Sequence, residues 1–585
     1  MLPDYASYDE AIGLDWYEVD PNLRFTLDRL LPEPEERGFA EEVVAEYGPL
    51  VGGPIARRAE ITDKSGPVLE RWDHWGREAD RVVHNQSWLD NKADLVRHNY
   101  TSLQVRAGNR PVPGVVTAAL NYLVCQAETA LICAMGMTNG AADIVQRYAP
   151  DSVRDNVVGR LTSADPDAAW EGGMFLTERQ GGSDVGANTT TAVQDGDEWR
   201  LYGEKFFCSN IDADVFIVLA RPEGAPPGGR GLATFVVPRQ LPDGSTNGFH
   251  MRRLKPKMGT VGVPTGEVVL EGARAWLAGS SGESATGDAA RDGRGLNRMM
   301  EMVNGSRFGV AIMGLGIHRR SFLEAAIYAA RREQWGQRID RYPLVRETLV
   351  DLLVELEAGM AVTFECAAAA RGATDEEEAR LIRRILIPLA KMRATRVAVG
   401  AAGTALEVLG GNGYMNDWPM ARQLRDAQCH PIWEGTENII CLDVRRAMRS
   451  EGAHEALLSR IERSLGTAGR HEPLARPADA VAATLKEARE AIAYLATADD
   501  DLQLLQARRL ANLLADLSEG AVLLDEAAWA LDRDGDARKA LVARRFARSH
   551  LETLPVRGIV DDDRTVLDFF DPLIRYGKVD AAAVA

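Results

Sequence analysis

The order of apolar and polar positions divides the chain into four regimes. Over residues 1–170, apolar residues recur at three- and four-residue spacing in segments 39–46, 117–137 and 151–161, the period of helices that bury one face. Gly- and Pro-rich connections such as 108–114 separate them, while 51–54 and 71–88 read as loop or strand. From 171 to 280 the texture changes. Segments 189–193 and 199–202 flank Asp195-Gly196, a dipeptide that supplies the positive φ of a hairpin turn. Short β-branched runs follow at 215–220, 233–237 and 267–270, with a turn at Pro242-Asp243-Gly244. This region predicts a small antiparallel sheet or barrel. Residues 279–295, rich in Gly, Ser and Ala without apolar period, predict a flexible loop. From 281 to 450 helical spacing returns over 308–331, 343–370 and 377–399 and predicts a helical bundle. Residues 451–585 add helical segments at 477–497, 502–517 and 521–531, with no repeat of fixed period.

Length and charge narrow the function classes. At about 150 residues per domain, 585 residues fit about four structural units. The boundaries are 1–170, 171–280, 281–450 and 451–585. The 68 basic and 86 acidic residues leave a net charge of −18, which repels phosphate backbones and anionic lipids. DNA is therefore not expected as a partner. The densest basic cluster is Arg538, Lys539, Arg544, Arg545 and Arg548, within a region of 18 basic and 24 acidic residues. It reads as a solvated helix face or an ion-pair surface between subunits. Six scattered cysteines argue against a disulfide framework, and no metal site is expected. The first ten residues show no basic-plus-apolar leader. The longest apolar stretch, 115–137, is broken by Asn121, Gln126 and Glu128, which reads as a buried helix and not a membrane span. The expected location is the cytoplasm.

Candidate chemistry sits at a few points. In Ile432-Trp433-Glu434-Gly435-Thr436-Glu437-Asn438 a carboxylate lies between an indole and a glycine at a helix entry. Such a Glu is most often capping or solvated; desolvated by its apolar neighbours, it becomes a usable base near neutral pH. Gly181-Gly182-Ser183 can let backbone N–H groups approach an anion, or form an ordinary turn. It fits neither a Walker A loop nor the Rossmann fingerprint. Gly410-Gly411-Asn412-Gly413 is good helix-termination chemistry unless something docks there.

The order and spacing of these signals carry more than each alone. Thr177-Glu178 with Gly182-Ser183-Asp184, the segment 203–210, Arg332 to Gly336, Gly410 to Gly413, Arg425-Asp426-Ala427 and Glu434-Gly435-Thr436 together resemble the acyl-CoA dehydrogenase family, over about residues 110–450. The resemblance implies an α+β, mostly helical fold: an N-terminal helical domain, a middle β domain and a C-terminal helical bundle, here with a helical extension. It places Glu434 on the catalytic base. Leu176, Thr177, Gly182 and Ser183 fall on the loop that contacts the flavin and phosphate of FAD, with Ser183 also toward substrate. Phe207, Cys208 and Ser209 fall on the strand segment along the isoalloxazine ring, where Phe207 replaces the usual Trp. Arg332 and Trp335 match the reach to the FAD pyrophosphate. Glu407, Gly410 and Gly411 match contacts to the FAD of a neighbouring subunit, with Glu407 in place of the more usual Gln. Thr436 and Asn438 match further FAD contacts, with Asn438 where Gln is common. Arg307, Gly435 and Arg446 match positions near the acyl-CoA.

The implied reaction is α,β-desaturation of an acyl-CoA thioester, feeding electrons to an electron-transfer flavoprotein or another acceptor, in a homodimer or homotetramer of fatty acid metabolism. Some family members carry the base immediately before the position of Arg307. Here that residue is Ser306, which cannot serve. The N-terminal segment 79–88, Pro431 to Gly435, Cys441 to Val444 and the C-terminal extension look like the alkylation-response branch of the family. That branch raises an alternative, a DNA-associated protective flavoprotein with little dehydrogenase activity.

Overall fold

The computed structural model describes residues 2–279, 292–368, 373–560 and 563–584. The Gly/Ser/Ala-rich stretch 280–291, expected to be a flexible loop, lies outside the described residues. The helices of the first half are α1 (Pro21–Leu30), α2 (Pro34–Leu50), α3 (Ala56–Lys64), α4 (Gln86–Arg97), α5 (Leu103–Arg106), α6 (Gly114–Ala127), α7 (Thr129–Tyr148) and α8 (Asp151–Leu161). Those of the second half are α9 (Gly295–Arg331), α10 (Pro343–Ala367), α11 (Glu376–Val408), α12 (Pro419–Ala427), α13 (Glu437–Glu451), α14 (Ala453–Ala468), α15 (Ala475–Thr497), α16 (Asp500–Asp534) and α17 (Arg538–His550). The strands are β1 (Val68–Trp72), β2 (Glu78–Val83), β3 (Gly172–Phe175), β4 (Thr191–Asp195), β5 (Glu198–Ser209), β6 (Val215–Pro222), β7 (Ala233–Pro238), β8 (Phe249–Leu254) and β9 (Thr265–Leu277).

The chain forms two compact units. One comprises Arg57–Val112 and Glu128–Gly309. In it β6 pairs with β4, β4 with β5, β5 with β9, β9 with β7, and β7 back with β6, closing a barrel. The expectation of an antiparallel sheet needs correction at one place: β3 and β4 both run parallel to β6. The long loop 176–190, not a tight turn, joins β3 to β4, and parallel strands require such long connections. Inside, Phe216 stacks between Phe175 and Phe249, with ring centroids 4.6 and 4.8 Å apart. The alternate residues Val215, Ile217 and Leu219 pack with Ala141, Ile144 and Val145 of α7. With both faces covered, β6 reads as a continuous apolar run.

The other unit comprises Met1–Ala56, Pro113–Ala127 and Val310–Ala585. Its core is a bundle in which α10, α11, α14 and α16 pack on one another. Residues 451–585 thus share one compact unit with the preceding bundle. Several elements differ from expectation. The segment 117–137 is two helices, broken at Glu128, whose backbone is extended. Residues 51–54, expected as loop or strand, fall in a π-helical turn, Val51–Ile55. Segments 502–517 and 521–531 are one 35-residue helix.

Four of the five cations of the basic cluster on α17 are engaged within the chain, and the fifth, Arg544, is half-buried. Lys539 Nζ lies 2.7 Å from carboxylate oxygens of both Glu357 and Glu526, and Arg538 also bonds Glu357. Arg545 pairs with Asp351 at 2.8 Å, and Arg548 with Asp563 at 3.4 Å. These cations are neutralised inside their own chain. Among the described residues no helix is long and apolar enough to cross a membrane.

Candidate active site

In the helical unit the loop between α12 and α13 is built from overlapping turns. The N–H groups of Ile432 and Trp433 both donate to the carbonyl of Cys429, at 3.0 and 3.1 Å. Glu434 follows in the left-handed region at φ 55°, then Gly435 at φ 112°. A non-glycine residue held there costs about 1–3 kcal/mol, so its surroundings must over-determine it. They do so through Lys391 of α11, a buried ammonium that donates to the carbonyls of Pro431 (3.3 Å) and Gly435 (2.6 Å). The carbonyls on either side of Glu434 are thereby tied to one rigid helix. Glu434 and Trp433 are half-buried.

Behind the loop, His430 is fully buried with its ring edge toward Trp433, centroids 6.2 Å apart. Burial, reinforced by the charge of Lys391, pushes its pKa down to about 3. His430 is therefore a neutral packing residue at physiological pH and adds no charge to the loop. Thr436 occupies the N-cap position of α13 without a side-chain capping bond and is exposed. Asn438, also exposed, accepts a hydrogen bond from Arg508 of α16, which also pairs with Glu437 at 3.3 Å. The C-terminal extension thus reaches the residues that follow the base loop. Arg446 is exposed on α13, beside Arg445, whose guanidinium pairs with Asp500.

Two further groups lie in this unit. Arg332 follows α9, and Trp335 and Gly336 occupy the centre of a two-residue hairpin turn with φ of 48° and 84°, the backbone of a type I′ turn. Trp335 is 88% exposed. Glu407, Gly410 and Gly411 are exposed where α11 ends, with Gly410 at φ 61°.

In the barrel unit the loop after β3 is held by Glu178. Its carboxylate accepts bonds from the N–H groups of Thr189 (2.6 Å) and Thr190 (3.0 Å) and from Lys205 Nζ (2.9 Å). Burial opposes the charged carboxylate, yet the Lys205 charge and these donors outweigh it and bring the Glu178 pKa down to about 2. Lys205, on β5, also donates to the Leu176 carbonyl, and Phe206 N–H donates to the Thr177 carbonyl at 2.9 Å. Leu176 and Thr177 are thus fixed to β5. A Cβ on Gly182 would stand 2.6 Å from Thr177 Oγ1, so the backbone beside Ser183 must stay bare. Ser183 is exposed.

Strand alternation sorts the β5 segment. Cys208 points into the barrel core, while Phe207, 58% exposed, and Ser209 share the opposite face. Lys255 Nζ stands 3.4 Å from the Phe206 ring centroid and 4.7 Å from that of Phe207, and pairs with Glu267 at 2.7 Å. The face therefore offers an anchored aromatic ring and a hydroxyl side by side, above a loop with exposed backbone. A flat, hydrogen-bonding ring system with a phosphate tail fits that set. Arg307 of this unit is buried on α9, 3.4 Å from Asn304 Oδ1. Among the described residues one group of metal-ligand type meets, Glu78, Asp80 and His250. Within it His250 bonds Glu78, Glu78 also pairs with Arg71, and Asp80 accepts the Met251 N–H.

Three organising residues escaped sequence reasoning: Glu178, Lys205 and Lys391. The first two lie within the quoted motifs but show no pairing in sequence. Lys391 left a signal, a single cation within the otherwise apolar stretch 385–392 of a helix.

Comparison with known proteins agrees with this layout. Residues 9–168 match the profile of the adaptive response protein AidB N-terminal domain, 173–273 that of the acyl-CoA dehydrogenase middle domain, and 293–449 that of the acyl-CoA dehydrogenase C-terminal domain. The chain is 33% identical to acyl-CoA dehydrogenase family member 11 of Caenorhabditis elegans, over 87% of this chain and 84% of that one. It is 31% identical to the putative acyl-CoA dehydrogenase AidB of Escherichia coli, over 73% of this chain and 77% of that one. The crystal structure of Caenorhabditis elegans ACDH-11 in complex with C11-CoA superposes with a TM-score of 0.84 at 30% identity, covering 97% and 98% of the two chains.

Proposed function

The chain belongs to the acyl-CoA dehydrogenase family, and from that premise we propose that it desaturates an acyl-CoA thioester between its α- and β-carbons, with Glu434 as the base and FAD as the oxidant. When bound, FAD supplies the two-electron acceptor for the hydride that leaves the β-carbon. The chain's own residues do the rest. Glu434 takes the weakly acidic α-proton, and its backbone N–H stabilises the charge that develops on the thioester carbonyl. Phe207 and Ser209 meet the flat ring and its polar edge. Leu176, Thr177, Gly182 and Ser183 receive the flavin and phosphate, and Arg332 and Trp335 the pyrophosphate. Thr436 and Asn438 complete the cofactor contacts, with Glu407, Gly410 and Gly411 serving the cofactor of a neighbouring subunit. Arg307, Gly435, Arg446 and Ser183 hold the acyl-CoA.

The observation that carries this reading is Glu434 itself: a half-buried carboxylate in a strained backbone conformation, tied on both sides to a buried lysine. A solvated or capping Glu needs none of that. The complex of the related nematode protein with C11-CoA favours a fatty acyl chain. An electron-transfer flavoprotein is the acceptor the reading favours. The match of residues 9–168 to the AidB N-terminal domain puts the chain in the adaptive response branch. The DNA-protective alternative loses ground because Arg538, Lys539, Arg545 and Arg548 are engaged within the protein. Anaerobic mixing of the purified protein with straight-chain acyl-CoAs of increasing length, followed by flavin bleaching, tests the reading. Bleaching by a subset of chain lengths is expected; no bleaching by any of them contradicts it.

A further inference from the structure

The loop between β8 and β9 gathers donors and acceptors around Lys257. Its ammonium donates to the carbonyls of Thr260 (2.7 Å) and Val263 (2.5 Å) and to the hydroxyl of Thr265 (3.3 Å). Thr260 holds φ 50°, outside the usual range for a β-branched residue, so the loop is bent around this cation. Thr265, buried at the start of β9, lies 3.1 Å from the Ser209 hydroxyl of β5. Distance alone leaves open which of those two hydroxyls donates.

The chemistry of the lysine biases the choice. An ammonium has three donors and no lone pair, so Thr265 Oγ1 can only accept from Lys257. With one lone pair taken by a cation, the Thr265 O–H is polarised into a better donor and a poorer acceptor, which favours donation to Ser209 Oγ 3.1 Å away. Ser209 then accepts from behind, and its own proton is left for whatever meets the outer face of β5. Chains of this kind polarise each member, so the last donor is the strongest.

We propose that Lys257 is a positioning residue that sets the direction of the chain Lys257→Thr265→Ser209, so that Ser209 presents its hydroxyl proton, not its lone pairs, to the flavin edge. The inference rests on the FAD reading above. It assigns Lys257 and Thr265 no contact with substrate or cofactor. Without the cation, Thr265 and Ser209 can reverse, and the Ser209 proton is then spent inward on Thr265 although both hydroxyls remain.

That reversal yields a test that a merely structural lysine would not pass. Deflavinated protein is titrated with FAD by quenching of flavin fluorescence, and circular dichroism confirms that each variant is folded. K257M is expected to bind FAD about three- to tenfold more weakly, the scale of one hydrogen bond. S209A should show a similar loss, and K257M/S209A no further loss. T265V removes the inward acceptor, so K257M/T265V should recover to within about twofold of wild type, the margin such a titration resolves. Recovery supports the proposal. A double variant as weak as K257M shows that the lysine only braces the loop and overturns it. Wild-type protein that binds FAD while K257M binds equally well also overturns it. Wild-type protein that does not bind FAD at all contradicts the FAD reading itself and, with it, this inference.

Discussion

The Nζ of Lys391 lies 2.6 Å from the carbonyl oxygen of Gly435, and the same nitrogen reaches the carbonyl of Pro431. One buried cation on α11 thus spans Glu434, the proposed base. Lys391→Met should leave FAD binding intact but release the loop. A displacement of about 1 Å at a base can cost about 100-fold in rate, so the rate of flavin reduction should fall by roughly that amount with little change in cofactor content. Equal rates in stopped-flow reduction would show that the loop is held by its turns alone.

The Glu178–Lys205 pair should fasten the loop after β3. Removing one partner of a buried ion pair typically costs about 3–5 kcal/mol, so Glu178→Gln should lower the denaturation midpoint and weaken FAD retention together. Glu178 also carries an acid signature. Its pKa in the fold is lowered from 4.5 to about 2, so its stabilisation is present above pH 4.5 and lost as pH falls toward 2. Denaturant titrations across that window should show a shallower decline in Glu178→Gln than in wild type, other lowered carboxylates such as Glu357 supplying the rest.

Glu519 of α16 predicts the opposite slope. Burial raises its pKa from 4.5 to about 7, against the pull of Arg393, with Glu355 and Asp516 adding repulsion and His550 nearby. A carboxyl raised by folding contributes stability below pH 4.5 that is lost as pH rises through 7. Glu519→Gln should therefore flatten that part of the thermal-stability profile. An unchanged slope between pH 5 and pH 7 would place the titration on another group.

Assembly is the fourth expectation. Trp335 is 88% exposed, and Gly410 and Gly411 lie exposed at the end of α11; under the proposed function they meet the cofactor, the glycines that of a neighbouring subunit. The protein should be a dimer or a dimer of dimers, with cofactor retention coupled to assembly. Trp335→Ala should loosen FAD. A monomer by light scattering that holds stoichiometric FAD would contradict this.

Much of the layout was legible in sequence. Residues 151–161 read as a helix and form α8, and Asp195-Gly196 turns β4 into β5 as its chemistry requires. The misses share a cause. Gly520 reads as a break, yet α16 runs through it, because a Cβ there would stand 2.9 Å from Leu551 Cδ1. Gly52 likewise lies against the Leu14 carbonyl in a π-helical turn, not a loop. In both, glycine serves close packing between distant segments, which local pattern cannot show. For the proposed site, Glu434, Ser183 and Ser209 could be named from the family resemblance that the order and spacing of the motifs carry. Their supports could not: Lys391 meets Gly435 across 44 positions, and Lys205 meets Glu178 across 27. Such pairings are set by the tertiary fold and leave no trace in neighbouring residues. The strain at Glu434 is equally silent, since only the folded loop reveals its positive φ.

The most direct test of the account is the rate at which an acyl-CoA that bleaches the wild-type flavin under anaerobic conditions bleaches Glu434→Gln. The amide keeps the shape of the side chain and removes its basicity. FAD content should stay at wild-type level while the reduction rate falls by at least about 100-fold, the scale of general-base loss. Near-normal reduction in that variant would contradict the assignment of Glu434 as the base.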